Sequence, residues 1–517
     1  MIKESVVLDV RDLSVVFAGP PEFQAVHSLS FQIKSGKTLA LVGQSGSGKS
    51  VSSLAIMGLL PKSAKISGNI DLGLHPNINH LDNRVLCRLR GKEMAMVFQE
   101  PMSALNPVKS VGYQLVESIK VHQDISYSEA RKQAIDWMDK VKLPEPAKLF
   151  KRFPHQLSGG QKQRVMIAMA MCNHPKLLIA DEPTTALDVT VQKEVIDLML
   201  QLQKEFGIAL LFITHDLNLA RTIADDFLIM ENGRVIHNLM SFAIPEKTEK
   251  ETLSEKPAIL EVRSLSVVYE GEKKLFQRQG PEFRAVNEVS FKIFPGETLG
   301  LVGESGCGKS TLSKAILGLQ KVSEGQIFFQ NKDIIHLDNR AWRQLRRDIQ
   351  IIFQDPFASL NPRIKVGDAL KEPMFVHHIC PENELESEME NLLELVQLPR
   401  SAKDKYPHEF SGGQRQRICI ARALALQPQL VICDESVSAL DVKIQAQILE
   451  LLRELQVRKQ LTYLFITHDL NVVRAISDRV LVMQKGRIVE QGETEEIMSR
   501  PKNDYTKRLL AAIPRPA

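Results

Sequence analysis

The feature that most restricts how this chain can fold is a long internal repeat. GQSGSGKS at Gly43–Ser50 returns as GESGCGKS at Gly303–Ser310, 260 residues later. VFQEPMSALNP (Val97–Pro107) returns as IFQDPFASLNP (Ile352–Pro362) after 255 residues, and LSGGQKQR (Leu157–Arg164) as FSGGQRQR (Phe410–Arg417) after 253. Asp181-Glu182 and Asp434-Glu435 keep the spacing of 253, as do Thr214-His215 and Thr467-His468. Stacked solenoid repeats have periods of roughly 20–50 residues, so each copy here has to be a domain. The total of 517 residues agrees, being too long for one ordinary domain at ~100–200 residues each. The drift from 260 to 253 puts small length changes between the first motif groups, where loops tolerate them.

Composition locates the boundary. After Asn232-Gly233-Arg234-Val235-Ile236 the chain passes into PEKTEKETLSEKP (Pro245–Pro257), charged and without aromatics, which reads as an exposed linker. ILEVRSLSVVY (Ile259–Tyr269) then repeats VVLDVRDLSVVF (Val6–Phe17). The reading is two domains, 1–240 and 259–517, joined by a linker over 241–258.

Several function classes are weakened by simple counts. Lys+Arg 66 against Asp+Glu 62 leaves a net charge of +4, without the basic footprint of a nucleic-acid binder. The six cysteines (Cys87, Cys172, Cys307, Cys380, Cys419, Cys433) are scattered and form no C-x-x-C pair. That argues against a zinc knuckle or disulfide framework and for a reducing compartment. A spanning helix needs about 20 mostly apolar residues, whereas the longest apolar stretches resemble GIALLFI at Gly207–Ile213. MIKESVVLDV at the start has no apolar segment of signal-peptide type. The expectation is a chain that neither crosses a bilayer nor enters a secretory pathway.

Short apolar runs without alternation suit strands buried on both faces of a mostly parallel sheet. Leu39–Val42, Leu177–Ala180 and Ala209–Ile213 are such runs in the first copy, and Leu299–Val302, Leu430–Cys433 and Tyr463–Ile466 in the second. The fold expected is α/β: two tandem P-loop NTPase domains, each with a mostly parallel core sheet, an antiparallel β subdomain and a helical subdomain.

The chemistry is carried by spaced residues. G-x-x-x-x-G-K-S occurs twice, each time between a predicted strand and a predicted helix, the setting that gives the pattern its meaning. Its glycines let backbone N–H groups turn inward as an anion nest, and the following helix adds its positive end. Candidate ATP-binding residues are therefore Gly43, Gln44, Ser45, Gly46, Ser47, Gly48, Lys49 and Ser50 in the first copy. In the second they are Gly303, Glu304, Ser305, Gly306, Cys307, Gly308, Lys309, Ser310 and Thr311. Lys49 and Lys309 would neutralise the β/γ-phosphates, and Ser50 and Ser310 would ligate Mg²⁺. Asp181 and Asp434 end apolar strands, placed to hold Mg²⁺ through water. Glu182 and Glu435 follow, where a carboxylate orients or deprotonates the attacking water. His215 and His468 end the next strands, and a neutral imidazole there would donate to the γ-phosphate. Cys307 stands where the first copy has Ser47, as a small filler or as a redox-sensitive thiol. Ser436 stands where the first copy has Pro183, so the loop after Glu435 is less rigidly set.

A P-loop alone fits many NTPases. Ser158-Gly159-Gly160-Gln161 and Ser411-Gly412-Gly413-Gln414, each followed by a helix and the Asp-Glu strand, resemble the signature of ATP-binding-cassette (ABC) ATPases. Gln99 and Gln354 resemble the Q-loop glutamine that reaches the metal, and His215 and His468 the switch histidine. Thr185–Asp188 and Ser438–Asp441 resemble the D-loop, and Phe17 and Tyr269 the aromatic stacked on adenine. The resemblance covers each copy nearly end to end. It implies that Lys49, Asp181, Glu182 and His215 share one ATP with Ser411–Gln414, while Lys309, Asp434, Glu435 and His468 share the other with Ser158–Gln161. Such an intramolecular pair replaces an obligatory homodimer. With both carboxylate pairs, histidines and signatures intact, two hydrolytically competent sites are expected.

Three uses of the ATP compete. A DNA-repair or chromosome ATPase would bring zinc cysteines or a long coiled coil, and neither is in the sequence. A soluble twin-cassette ATPase acting in translation resembles the chain less, for want of a long helical linker and a basic surface. FQEPMSALNP, FQDPFASLNP, DEPTTALDVTVQ (Asp181–Gln192) and YTKRLLAAIP (Tyr505–Pro514) resemble ATP-binding subunits of bacterial peptide importers. The fused arrangement is similar to the microcin C/peptide importer type, with fused glutathione importer ATPases as near relatives. The implied partners are two transmembrane permease subunits and an extracytoplasmic solute-binding protein, with no nucleic acid. The implied place is the cytoplasmic face of the bacterial inner membrane, peripherally bound. The segments after Gln99 and Gln354 (Met102, Phe357, Arg363) are candidates for the docking surface or for ordinary loop anchors. No cysteine follows Arg487, so no iron–sulfur cluster is expected, and the first copy lacks the YTKRLL tail.

Overall fold

A computed structural model of the chain describes residues 5–19, 22–44, 46–99, 104–184, 187–236, 257–269, 282–437, 440 and 442–512. Ser45, Met102, Thr185, Ala186, Ser438, Ala439, Asp441, linker positions 241–256 and the tail beyond 512 lie outside the described residues. The chain forms two compact units that part between Ser241 and Phe242.

The first unit contains β1 (Val6–Phe17), β2 (Phe23–Lys34), β3 (Thr38–Gly43), β4 (Ala64–Leu72), β5 (Met94–Val97), β6 (Leu177–Asp181), β7 (Ala209–Thr214), β8 (Asp226–Glu231) and β9 (Arg234–Ile236). Two sheets result. One is antiparallel in the order β2-β1-β4; the other runs β5-β6-β7-β3-β8-β9, parallel until the antiparallel β8/β9 pair. On β2 the alternation is plain: Leu29, Phe31 and Ile33 are buried while Ser30, Gln32 and Lys34 are exposed, as for a sheet with one face on the core. On β6 and β7 every residue is buried, so both faces are covered. Successive residues serve different cores. Leu177 and Ile179 pack with Ala55, Ile56 and the antiparallel sheet, while Leu178 and Ala180 pack with the helical part around Leu115, Trp137, Ile167 and Leu198.

The second unit repeats this with β10 (Leu260–Tyr269), β11 (Phe283–Ile293), β12 (Thr298–Val302), β13 (Glu324–Phe329), β14 (Lys332–Asp333), β15 (Ile349–Ile352), β16 (Leu430–Asp434), β17 (Thr462–Thr467), β18 (Arg479–Gln484) and β19 (Arg487–Glu493). Its sheets run β11-β10-β13-β14 and β15-β16-β17-β12-β18-β19. All six apolar runs expected as strands are strands, most of them longer by a residue at an end. Helix ends follow local chemistry. Ser126 and Glu129 form a reciprocal capping box at the start of Tyr127–Lys140, and Gly207 closes Val189–Phe206 in the left-handed region at φ 64°.

Among the described residues, the second unit continues beyond its last parallel strand. After β19 the helices Thr494–Ser499 and Asp504–Ala511 fold back, so Ile497, Tyr505, Leu509 and Leu510 form a core with Val302, Leu470, Val473, Val480 and Val482. The corresponding core of the first unit is Ala40, Val42 and Ala220, with Leu217, Ala224 and Phe227 partly buried against it. Among the described residues no helix is long and apolar enough to cross a membrane.

Candidate functional site

Strand order builds the site. In β5-β6-β7-β3 the chain leaves β3 for the far edge and returns, so strands distant in sequence present their carboxyl ends side by side. Ligands of open α/β sheets lie at such ends. Gln99 follows β5, Asp181 and Glu182 end and follow β6, His215 follows β7, and the P-loop leaves β3.

The P-loop turns on glycine. Gly48 sits at φ 100° as the residue before the helix Lys49–Ile56, and a Cβ there would lie 2.6 Å from the Ala25 carbonyl oxygen. Gly308 repeats this at φ 112°, 2.1 Å from the Ala285 oxygen. No other residue type fits both the conformation and the space. Lys49 is buried, its Nζ donating to the carbonyls of Gly43 and Gln44, each at 2.8 Å, with Glu182 Oε1 at 3.9 Å. Lys309 Nζ donates to Gly303 at 2.8 Å and Glu304 at 2.9 Å, with Glu435 Oε1 at 4.0 Å. The ammonium is thus stored on loop carbonyls, aimed between the nest and the carboxylate.

Ser50 Oγ donates to Asp181 Oδ1 at 3.1 Å, and Ser310 Oγ to Asp434 Oδ1 at 3.3 Å. The other carboxylate oxygens accept from Ser53 (3.4 Å) and Ser313 (3.1 Å), serines that the motif reading did not include. Burial pushes the carboxyls of Asp181 and Asp434 above their ordinary range against the opposing serine bonds. A hydroxyl and a carboxylate are hard oxygen donors of the kind Mg²⁺ takes beside phosphate oxygens and water, so this pair fits that ion.

Glu182 is the meeting point. Gln99 Nε2 donates to its Oε2 at 3.1 Å, and His215 Nδ1 lies 3.4 Å from the same oxygen. Gln354 Nε2 to Glu435 Oε2 is 2.8 Å, with His468 Nδ1 at 3.6 Å. Both glutamates sit in the left-handed region (φ 43° and 48°), their N–H groups donating to Ile213 and Ile466. Backbone strain of this kind in a non-glycine residue is tolerated where the surroundings hold it. The hydrogen bond with Glu182 raises the pKa of His215 despite burial, so the contact favours the imidazolium over the neutral ring expected from sequence. Burial would raise Glu435, but the His468 hydrogen bond, the His468 charge and Lys309 together hold it below its ordinary value.

The signature segments are built elsewhere in each unit. Ser158 caps the helix Gly159–Met171 in a reciprocal box with Gln161 (3.3 and 3.1 Å), and Ser411 does the same with Gln414 (3.4 and 3.0 Å). These helices belong to the helical-side cores, whereas the P-loop helices belong to the cores shared with the antiparallel sheets. The second signature glycine has a packing reason that the motif does not reveal. A Cβ on Gly160 would lie 2.6 Å from Val191 Cγ1, and one on Gly413 2.5 Å from Ile444 Cγ2. Gly159 and Gly412 have more room, at 3.3 Å from Leu187 and 3.8 Å from Leu440.

Among the remaining candidates, Phe17 is half-buried at the end of β1, and Tyr269 is exposed at the end of β10 with its hydroxyl donating to Gln320 at 3.2 Å. Gln44, Gly46, Ser47, Glu304, Ser305, Gly306 and Thr311 lie in or beside the P-loop turns. Cys307 is buried, its Sγ 2.8 Å from where a Gly303 Cβ would stand, and burial raises its thiol pKa. Ser436, buried, follows Glu435 directly. Phe357 is exposed and stacks under the Arg415 guanidinium at 3.7 Å, while Arg422 donates to the Ser359 carbonyl at 2.6 Å. The segment after Gln354 is thereby tied to the signature helix Gly412–Leu424. Arg363 donates its N–H to Asn361 Oδ1 at 3.0 Å, an ordinary turn contact.

The ABC transporter family matches residues 26–185 and again 286–438. The glutathione import ATP-binding protein GsiA of Pectobacterium atrosepticum is 44% identical over 99% of this chain and 90% of its own length. GsiA of Escherichia coli K12 is 43% identical over 98% and 89%. A solved structure, cbiO1 from Clostridium perfringens, described as part of the ABC transporter complex cbiONQ, is 31% identical over 47% of this chain and 91% of its own, with a TM-score of 0.41. The family match falls on both P-loops and reaches past both Asp-Glu strands, so the chain belongs to the ABC transporter family and is one of its ATP-binding ATPases, with two cassettes in one polypeptide.

Proposed function

We propose that the chain hydrolyses ATP at two sites to drive import of peptides or peptide-like compounds through separate membrane subunits. The observation that carries the hydrolytic reading is the convergence, in both units, of a glutamine, a histidine and the P-loop lysine on one glutamate carboxylate. The import reading rests on likeness to proteins named for glutathione import along nearly their whole length. Nothing in those relatives favours the translation alternative.

Cassettes 1–240 and 259–517 are joined by the linker 241–258. Each ATP is held between the P-loop of one cassette and the signature of the other, Ser411–Gln414 serving Lys49 and Ser158–Gln161 serving Lys309. On nucleotide binding, Lys49 and Lys309 exchange loop carbonyls for phosphate oxygens. Ser50 with Asp181, and Ser310 with Asp434, hold Mg²⁺, with Gln99 and Gln354 reaching toward it. Bound there, Mg²⁺ would supply positive charge against the phosphates. Glu182 and Glu435 take the proton of the attacking water. His215 and His468 present Nε2 to the γ-phosphate while Nδ1 stays on the glutamate. Phe17 and Tyr269 offer faces to adenine.

The partners are two transmembrane permease subunits, fed by an extracytoplasmic solute-binding protein. The chain sits peripherally on the cytoplasmic face of the bacterial inner membrane. Phe357, exposed and packed on Arg415 of the signature helix, is the candidate for a docking contact, with an ordinary loop anchor as the alternative. Affinity purification of the full chain from solubilised membranes is the test. Two polytopic membrane proteins should co-purify, and vesicles carrying the complex should take up peptide only with ATP. Recovery with ribosomes instead would overturn the reading.

A further inference from the structure

We propose that Tyr505 is a positioning residue of the second ATP site, acting through the backbone N–H of Glu304. The proposal rests on the reading of both P-loops as phosphate sites.

Tyr505 lies 201 residues from Glu304, yet its buried phenolic oxygen accepts the Glu304 N–H at 3.1 Å. Glu304 is the first residue after the Gly303 turn, and its carbonyl accepts from Lys309 Nζ at 2.9 Å. One residue is therefore held by the tail on its N–H side and holds the phosphate-binding lysine on its carbonyl side. A glycine-rich loop gains affinity from whatever fixes it in its bound conformation beforehand.

The tail is anchored firmly enough to act as a clamp. The Glu490 carboxylate on β19 accepts the N–H groups of Lys502 (2.7 Å) and Asn503 (3.1 Å), fixing the entry to the last helix. Asn503 caps that helix by accepting the Tyr505 N–H at 2.8 Å. Leu509 and Leu510 are buried with Val302, the last residue of β12, which leads directly into Gly303. The clamp thus grips both the strand entering the loop and the first residue of the loop.

The first site has the same lysine arrangement, and among the described residues no side chain takes the place of Tyr505. Gln44 accepts from Lys49 Nζ as Glu304 does from Lys309, but no YTKRLL segment follows the first copy. Among the described residues no side chain hydrogen-bonds the Gln44 N–H. The two copies are equivalent in motif, and the tail makes them unequal in support.

The test is ATP binding by the full chain, measured by equilibrium dialysis, in Lys49→Ala (second site left) and Lys309→Ala (first site left), each with and without Tyr505→Phe. Phenylalanine keeps the ring in its core and removes only the hydroxyl. Losing one such hydrogen bond is expected to weaken ATP binding roughly three- to tenfold in Lys49→Ala and to leave Lys309→Ala unchanged. In steady-state ATPase of the otherwise wild-type chain, Tyr505→Phe should raise the KM of one of two phases with little change in kcat. Equal weakening in both backgrounds, as a general loss of stability would give, overturns the proposal, and so does no change in either. If Lys49→Ala and Lys309→Ala each still bind two ATP, the phosphate-site reading itself fails and the proposal falls with it.

Discussion

Gly160→Ala is the perturbation whose size the structure sets most directly. The added Cβ would lie 2.6 Å from Val191 Cγ1, roughly 1 Å inside ordinary carbon–carbon contact. Val191 is branched at Cβ and sits in the helix Val189–Phe206, where its χ1 has one strongly preferred rotamer, so it has little freedom to rotate away. Overpacking of this kind costs about 1–3 kcal/mol. Replacing glycine within a helix returns up to about 1 kcal/mol. With the full helix gain set against it, the expected net loss is about 0–2 kcal/mol. Gly159→Ala serves as control, because its Cβ meets only the far end of the Leu187 side chain at 3.3 Å. It should fall within about 0.5 kcal/mol of wild type. The chain has two tryptophans, Trp137 in the first unit and Trp342 in the second, so urea unfolding followed by Trp137 fluorescence in a Trp342→Phe background reports the first unit alone. A midpoint shift for Gly160→Ala and none for Gly159→Ala is expected. Combining Gly160→Ala with Val191→Ala should destabilise by at least about 1 kcal/mol less than the sum of the single changes. ATP turnover should also fall tenfold or more in Gly160→Ala, since a catalytic group displaced by about 1 Å can cost ~10²-fold. Equal stability of the two alanine variants, or strict additivity with Val191→Ala, refutes the close-approach argument.

Three further outcomes follow from the site. The raised pKa of His215 means that its pair with Glu182 adds stability that is full below the ordinary imidazole value of about 6.5 and is lost as pH rises through the folded value. His215→Gln should therefore destabilise more at pH 6 than at pH 9 in the Trp137 unfolding signal, and a pH-independent difference would contradict this. Glu435 has the opposite sign: its lowered pKa gives stability present above about 4.5 and lost as pH falls, so Glu435→Gln should narrow the acid sensitivity of the second unit, read through Trp342. Thiol labelling of the native chain near pH 8 should modify exposed Cys87 and spare Cys307, buried with a raised pKa, as well as Cys172 and Cys433 (each pushed up to about 12) and Cys419 (about 11). Mass spectrometry of the labelled sites decides it, and rapid labelling of Cys307 would restore the redox-switch alternative.

Much of this was legible in the sequence because the chemistry recurs at fixed offsets. The apolar runs before Gly43, Asp181 and His215 became β3, β6 and β7, since uninterrupted apolar strands have to be covered on both faces. Their side-by-side order was not legible; β6 meets β7 across 32 residues (Leu177 to Ala209) and β7 meets β3 across 172 (Thr38 to Leu210), pairings that local propensity does not encode. Gln99 was recognisable only by resemblance, because its bond to Glu182 spans 83 positions and depends on β5 lying against β6. Ser53 and Ser313 escaped the motif reading, although their spacing of three from the P-loop serines puts them on the same helix face toward the aspartate. For Gly160 and Gly413 the resemblance implies an ATP contact, and only the approach of Val191 and Ile444 shows why a side chain is excluded. The tail is present in one copy only, and the contact of its tyrosine with Glu304 spans 201 positions that the sequence alone does not connect.

Both cassettes are proposed to hydrolyse ATP, each with its own glutamate as base. Steady-state ATPase rates of Glu182→Gln and Glu435→Gln, measured separately in the full chain, address it most directly. Each substitution alone should cause a large loss of turnover, because each glutamate is the convergence point of an intact set of glutamine, histidine and lysine. A chain in which one substitution leaves the rate untouched while the other abolishes it would contradict the claim.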